Sequence, residues 1–363
     1  MRKKILMLAA FTFLGTTTLL GMGRRLEGAL NPTLLWEKEF DGVVVEEGVG
    51  LARISGDAIV SLKESGAEQI DKVLIFNTIG QPVVQEWKNA CYGRISDDGN
   101  KVIYLTPYSA DSFYDKVHYA TKDGQEIWWK QHGGDAHISP DGNLVIEAST
   151  AMESTQLIEV YDATGKEVWS YKLGESIDVI FSPDSDYIIA NSSTFPDKNR
   201  QSRVYKSQTG ELLWKKEDEW IMSVSKDILY LVGLKGLYDR EGNMIFDKGT
   251  IVSEDGKKLI VCYSKKIELI SLPEKTVLET YPVKTKDFGF SYDGKCLAVI
   301  GERTDVTSTN NLFVIDTETD EIWETKIEPK GKSEFNQMQI FLTKDGKHIL
   351  IQAEGKLYYY KVY

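Results

Sequence analysis

Two short phrases alternate along this chain at a spacing of about 40 residues, and few folds accept such a pattern. The first ends in a large apolar residue: NTIGQPVV, TKDGQEIW, DATGKEVW, SQTGELLW, DREGNMIF, SLPEKTVL and DTETDEIW, closing on Val84, Trp128, Trp169, Trp214, Phe246, Leu278 and Trp323. The second couples a hydroxyl to an Asp-Gly turn, as in HISPDGNLVIEA and IVSEDGKKLIVC. Its hydroxyls are Ser55, Ser96, Ser139, Ser182, Ser225, Ser253, Ser291 and Thr343. Each phrase reads as a hairpin, two apolar runs around a turn that requires Gly, Asn or Asp.

Two hairpins per unit make four strands, the unit of a β-propeller blade. Eight copies of the second phrase face seven complete copies of the first, and the termini account for the missing one. The chain ends in GKLYYYKVY, a third strand with no fourth, while PTLLWEKEF near its start is a strand carrying Trp36 with no third before it. Pairing the two closes the ring and removes an exposed sheet edge. The expectation is an all-β, eight-bladed propeller of four antiparallel strands per blade, a single domain over residues 34–363. A seven-bladed ring is the alternative, because the unit SVSKDILYLVGLKGLYDREGNMIF is short.

The phrase in DATGKEVW and SQTGELLW resembles the tryptophan-docking motif of the quinoprotein-dehydrogenase-like propellers, over roughly residues 35–363. The SPDG phrase is equally similar to that of WD-repeat-like propellers. The first superfamily includes enzymes that use pyrroloquinoline quinone and a non-catalytic lipoprotein of outer-membrane assembly. The resemblance therefore implies either a binding propeller or, as the alternative, an oxidoreductase with pyrroloquinoline quinone and calcium at the channel mouth. The adjacent cysteine pair that many quinone-dependent alcohol dehydrogenases carry is missing here. The aromatic residues need no cofactor to explain them. Trp36, Trp128, Trp169, Trp214, Phe246 and Trp323 are expected to tie each outer strand to the next blade, each burial contributing about 2–3 kcal/mol.

The N-terminus differs from the rest. MRKK precedes ILMLAAFTFLGTTTLLGMG, 19 residues without a charge, and RR follows. That order predicts a signal peptide or an uncleaved membrane anchor within residues 1–25 and an extracytoplasmic location. Cleavage after Gly23 would leave an unfavourable arginine, and no cysteine lies nearby for lipid attachment. The body beyond residue 25 holds 38 basic and 55 acidic residues, a net charge of −17. Such a surface repels phosphate backbones, so nucleic acid is excluded as a partner, and membrane contact is expected only through the N-terminal segment. A monomer is expected. Cys91, Cys262 and Cys296 lie in apolar runs and read as small buried thiols, with a Cys262–Cys296 bridge as the alternative.

No catalytic motif is present. QHGGDAHIS gathers His132, Asp135 and His137, which suits either zinc or a base, or else a Gly-Gly turn entering an inner strand. Aligned on the second phrase, Arg53, Arg94 and His137 stand two residues before its Ser, and Asp135, Asp178 and Asp287 four before. Same-face positions near the channel predict either ion pairs between blades or an anion-binding funnel centred on Arg53 and Arg94.

The connections between the two hairpins of a blade are long in KESGAEQID, TPYSADSFYDK, STAMESTQ, STFPDKNRQS and ERTDVTSTNN. They share one face, opposite the hairpin turns. Tyr108, Phe113, Tyr114 and Phe195 supply aromatic anchors there. The function expected is a non-catalytic scaffold binding a protein or small ligand on that face over blades one to four. A cytosolic WD-type scaffold is a further possibility.

Overall fold

The computed structural model describes residues 30–40, 43–63, 72–83, 86–106, 116–131, 134–149, 157–173, 176–194, 198–328, 338–353 and 355–363. Among them lie eight separate four-stranded antiparallel sheets, arranged as an eight-bladed β-propeller. In seven sheets the strands lie in chain order, here lettered a (innermost) to d (outermost). Blades 1 to 7 span 43–88, 91–131, 134–172, 176–217, 221–246, 251–281 and 283–325. Blade 8 takes strands a to c from Met338–Leu342, His348–Ala353 and Lys356–Lys361, and its outer strand from Thr33–Glu39.

The predicted closure is present residue by residue. Thr33 pairs with Lys361, Trp36 with Tyr359 and Glu39 with Lys356. The Trp36 ring stacks on Tyr359 at 5.0 Å between centroids, and the Tyr359 hydroxyl donates to Gly56 O of blade 1 at 2.7 Å. Blade 5 is short but complete, which removes the seven-bladed alternative.

There is no single central core. Eight apolar clusters each fill one seam between neighbouring blades; in the seam of blades 3 and 4, Leu144, Ile146, Ile158 and Val160 meet Val179, Ile188 and Tyr205. Middle strands are sandwiched on both sides, so Tyr187–Thr194 is buried almost throughout, whereas outer strands such as Glu167–Lys172 are half-buried to exposed.

The second phrase is explained by its turn. Ser139 Oγ donates to Asp141 Oδ1 at 2.5 Å and accepts Leu144 N–H at 2.9 Å, fixing both ends of the loop. Gly142 adopts φ +72°, a backbone region that disfavours other residues. Blade 1 departs from the alignment. There Ala52 N–H donates to Asp57 O and Gly56 N–H to Ala52 O, as Ser96 N–H donates to Lys101 O and Gly99 N–H to Ser96 O in blade 2. Ala52, not Ser55, is thus the counterpart of Ser96: Leu51 pairs with Ala58 as Ile95 pairs with Val102, so the turns are equal in length and Ser55 stands where blade 2 has Gly99.

No disulfide joins the cysteines, which corrects the alternative bridge. Cys262 ends strand b of blade 6 while Cys296 begins strand b of blade 7, so the two stand at opposite faces of the disc. Cys91 and Cys296 are buried and Cys262 half-buried; burial pushes the Cys262 thiol up and that of Cys296 to about 12. Native protein should therefore yield at most one slowly reacting thiol to Ellman's reagent, and three in guanidinium.

Among the described residues no helix is long and apolar enough to cross a membrane. The predicted leader, residues 1–25, lies outside them.

Candidate functional site

The residue after the Ser position of each turn approaches the propeller axis. Backbone N–H groups there donate from one blade to the next: Lys344 to Arg53 O at 2.7 Å, Ile54 to Asp97 O at 2.6 Å, Asp97 to Pro140 O at 2.8 Å, Lys226 to Glu254 O at 2.6 Å and Tyr292 to Lys344 O at 2.9 Å. The circle changes character at Pro140 and Pro183, which have no N–H. Asp141 N–H donates instead to Ser185 Oγ at 3.1 Å, and Asp227 N–H to Asp184 Oδ2 at 2.6 Å.

Four charged side chains from blades 1, 2, 6 and 8 occupy this opening. Arg53 holds Asp97 through two hydrogen bonds, Nε to Oδ1 at 2.9 Å and Nη2 to Oδ2 at 3.1 Å. The same guanidinium reaches Glu254 of blade 6 through Nη1. Lys344 Nζ stands 2.9 Å from Asp97 Oδ2 and 4.0 Å from Glu254 Oε2. Asp97 and Glu254 are buried. Burial alone would raise the Asp97 carboxyl, but Arg53 and Lys344 outweigh it and hold it below the ordinary value of 3.8.

This cluster corrects the expected funnel. Arg53 follows Ala52, the counterpart of Ser96, and so takes the axial turn position of Asp97 rather than the strand position of Arg94. Arg94 Nη2 instead pairs with Asp135 at 3.3 Å, and His137 Nε2 lies 3.0 Å from the same carboxylate. Against the cost of burial, His137 and then Arg94 hold Asp135 well below the usual carboxylate range. Asp178 accepts from Asn191 Nδ2 at 3.3 Å, and Asp287 accepts Ile340 N–H at 2.8 Å, its carboxyl raised by burial. Only Asp135 of the three aspartates therefore meets the expected cations.

A cation on Asp135 and His137 would face the Arg94 guanidinium, which opposes metal binding there; His132 lies outside the described residues. The axial set does not fit a quinone bearing three carboxylates either, since Arg53 and Lys344 are already matched by Asp97 and Glu254. Asp184, Asp186 and Asp227 are, among the described residues, close enough to share a cation, within 4.8 Å.

The tryptophans sit against the first phrase of the following blade. The ring of Trp169 covers Gly210, and its Nε1 donates to Ser207 O at 2.7 Å. Trp36 likewise covers Gly80 and donates to Thr78 O at 3.2 Å, Trp214 faces Gly242 and donates to Arg240 O at 3.1 Å, and Trp128 covers Gly165. The Gly and the Trp of one phrase thus contact different neighbours, which explains their joint recurrence. Trp323 meets Tyr360 edge-on at 5.8 Å, and Phe246 packs in the seam of blades 5 and 6. In blade 1 the outer aromatic is Trp87 rather than Val84, packed at 5.2 Å from Tyr104. Pro82 makes only an isolated bridge to Phe76, and the outer strand resumes at Trp87–Lys88.

An added Cβ at Gly210, φ +69°, would lie 2.7 Å from Trp169, whereas at Gly242, φ +80°, it would lie 3.4 Å from Trp214. Gly210→Ala should cost about 2–4 kcal/mol and Gly242→Ala about 1–2, because both meet the backbone penalty but only the first meets the clash. Chemical denaturation of the two variants measures the difference.

The opposite face is uneven. The residues counted as the blade 4 loop STFPDKNRQS are largely strand: Tyr187–Thr194 and Lys198–Lys206 pair out to Thr194 with Lys198. Blade 5 has only 234–236 between its middle strands, where Leu234 and Met222 are exposed beside half-buried Trp220. Leu234 N–H donates to Trp220 O at 3.2 Å. In blade 7 the connection leans on blade 6, with Thr304 Oγ1 donating to Lys265 O at 2.8 Å. Tyr108, Phe113, Tyr114 and Phe195 lie outside the described residues. Trp220 was not anticipated, because it belongs to neither phrase.

No protein-family model matches this sequence, and comparison with curated proteins finds no relative. Solved structures do resemble it. The Dos1 propeller superposes with a TM-score of 0.58 at 12% identity, over 92% of this chain and 95% of that one. The C-terminal WD40 domain of Sif2 gives 0.53 at 13%, over 93% and 99%. The β-propeller domain of Myceliophteria thermophila Cps50 gives 0.50 at 11%, over 90% and 100%. In fold this chain is an eight-bladed β-propeller similar to these. At such identity the likeness speaks for architecture alone. The propeller repeats one a–b turn in six of its blades and varies in the connections between its two middle strands.

Proposed function

We propose that this chain is an exported or membrane-anchored, non-catalytic propeller that binds a protein partner on the face of its b–c connections. The carrying observation is the contrast between the two faces. Hydroxyl–aspartate hydrogen bonds make the a–b turns of blades 2, 3, 4, 6, 7 and 8 alike, while the b–c side steps from a raised hairpin on blade 4 to a low, apolar floor at Trp220, Met222 and Leu234. Variable loops on a rigid scaffold are where recognition collects, and a half-buried tryptophan beside exposed apolar side chains suits an anchor for a partner. The axial charges are matched among themselves, which favours binding at the face over chemistry in the channel. Export is supported by the basic–apolar–basic order of residues 1–25.

Pull-down from native membranes tests the reading. Leu234→Glu, or a glycine-serine replacement of residues 107–115, should lower recovery of a specific partner about tenfold, while Ile79→Ser on the turn face should leave it unchanged. Equal recovery from all variants would count against the b–c face. Dye reduction by protein reconstituted with pyrroloquinoline quinone and calcium would overturn the non-catalytic reading.

A further inference from the structure

We infer that the propeller is seated with its hairpin-turn face toward a lipid bilayer, on the rim around Leu34, Leu35 and Tyr363, so that the b–c face points away. The inference rests on the N-terminal anchor of the proposed function, and it follows from where the chain enters the fold.

Three contacts place that entry. Leu30 N–H donates to Glu321 Oε2 at 3.2 Å, at the start of the outer strand of blade 7 and just past its c–d turn. Thr33 pairs with Lys361, at the turn-face end of blade 8. Val362 N–H donates to Lys347 O at 2.7 Å in the a–b turn of the same blade. Leu30 itself is buried in the seam of blades 7 and 8, so the chain is fixed from this point on.

Between Arg25, the last charge bracketing the apolar run, and Leu30 lie residues 26–29. Five Cα steps reach at most about 18 Å even when fully extended. The outer strand Thr33–Glu39 carries the chain a further ~20 Å before it reaches the b–c face. A tether this short cannot double back along the blade and still bring that face to the bilayer. The turn face is therefore the near one.

The surface at the entry point suits such a seat. A bulge between Leu34 and Trp36 turns two consecutive leucines outward: Leu34 is 43% exposed and Leu35 41%. Regular alternation would have buried one of them. Tyr363 is 42% exposed nearby, its hydroxyl donating to Asp316 Oδ2 at 3.2 Å. Lysines stand on this rim as well, Lys295 paired to Glu318 and Lys347 to Asp345. Two leucines and a tyrosine beside paired charges match the apolar–polar boundary of a bilayer.

The test uses the full-length chain in phosphatidylethanolamine–phosphatidylglycerol vesicles. A photocrosslinking residue replaces Leu35 in one variant and Val306, exposed on the b–c face, in another; a third carries it at Leu34. Circular dichroism confirms that each is folded. Lipid adducts should form at Leu35 and Leu34 at least about tenfold more than at Val306. Equal or reversed labelling in protein that floats with the vesicles would overturn the orientation while leaving the anchor standing. Adducts at Leu35 to a second copy of the chain instead of lipid would overturn it in favour of self-association. Protein that does not float would remove the anchor reading and this inference with it.

Discussion

A chain that begins after Glu39 should fail to reach a stable native state. Its eighth blade would keep three strands, exposing the edge of Lys356–Lys361 and the face of Tyr359 now stacked on Trp36. The seam shared by Trp36, Phe40, Leu350, Leu357 and Tyr359 with Val49, Leu51 and Ala58 would open to water. Loss of a packed Trp alone costs about 3–5 kcal/mol. With the backbone pairing and the other apolar contacts gone, the deficit approaches the 5–15 kcal/mol that a domain typically has. The expected result is insoluble protein, or soluble protein without a cooperative melt. Because a ring distributes its core over eight seams, opening one removes support from both neighbours. Trp36→Ala should be milder, about 3 kcal/mol, and a truncation at residue 26 should leave the melting temperature unchanged. A truncation after Glu39 that melts like the full chain would show that the ring holds without its N-terminal strand.

Asp97→Ala should be the most damaging single change at the axis. It leaves Arg53 and Lys344 facing each other with only Glu254 between them. Breaking a fully buried pair costs about 3–5 kcal/mol; Arg53 retains some solvent contact, so about 2–3 is expected here. Arg53→Ala in the same chain should restore part of the loss, since it removes the uncompensated charge, and a double-mutant cycle measures how much. The cluster also sets an acid limb. The folded pKa values of Asp97 and Asp135 lie below their ordinary value of 3.8. Their contribution is therefore complete above that value and disappears as pH falls through it toward the folded pKa. Asp287, whose carboxyl is raised, acts in the opposite direction. Wild type should lose stability steeply below about pH 4, and Asp97→Asn should start lower with a shallower slope, read by urea melts across pH. Parallel slopes would show that Asp97 does not carry the acid response.

The architecture was legible because hairpin turns leave short, local signatures. An Asp-Gly turn needs its glycine wherever it occurs, so repetition of the turn marks repetition of the blade, and the unpaired strands at the two ends completed the ring. The placement of Arg53 was not legible. RISGDA in blade 1 looks like RISDDG in blade 2, yet the turn of blade 1 opens on Ala52 rather than Ser55, three residues earlier in the phrase, which moves Arg53 from strand to axis. Trp87 escaped for the same reason, as Pro82 delays the outer strand beyond the point where the phrase appears to end.

Local chemistry by itself determined that this polypeptide forms hairpins, how many there are, and that its first and last strands must pair. Which charges meet was decided only by the tertiary structure. Arg53 and Glu254 are 201 residues apart and become partners because eight turns converge on one axis. Convergence is a property of the closed ring, and no spacing along the chain encodes which side chain will face which across it.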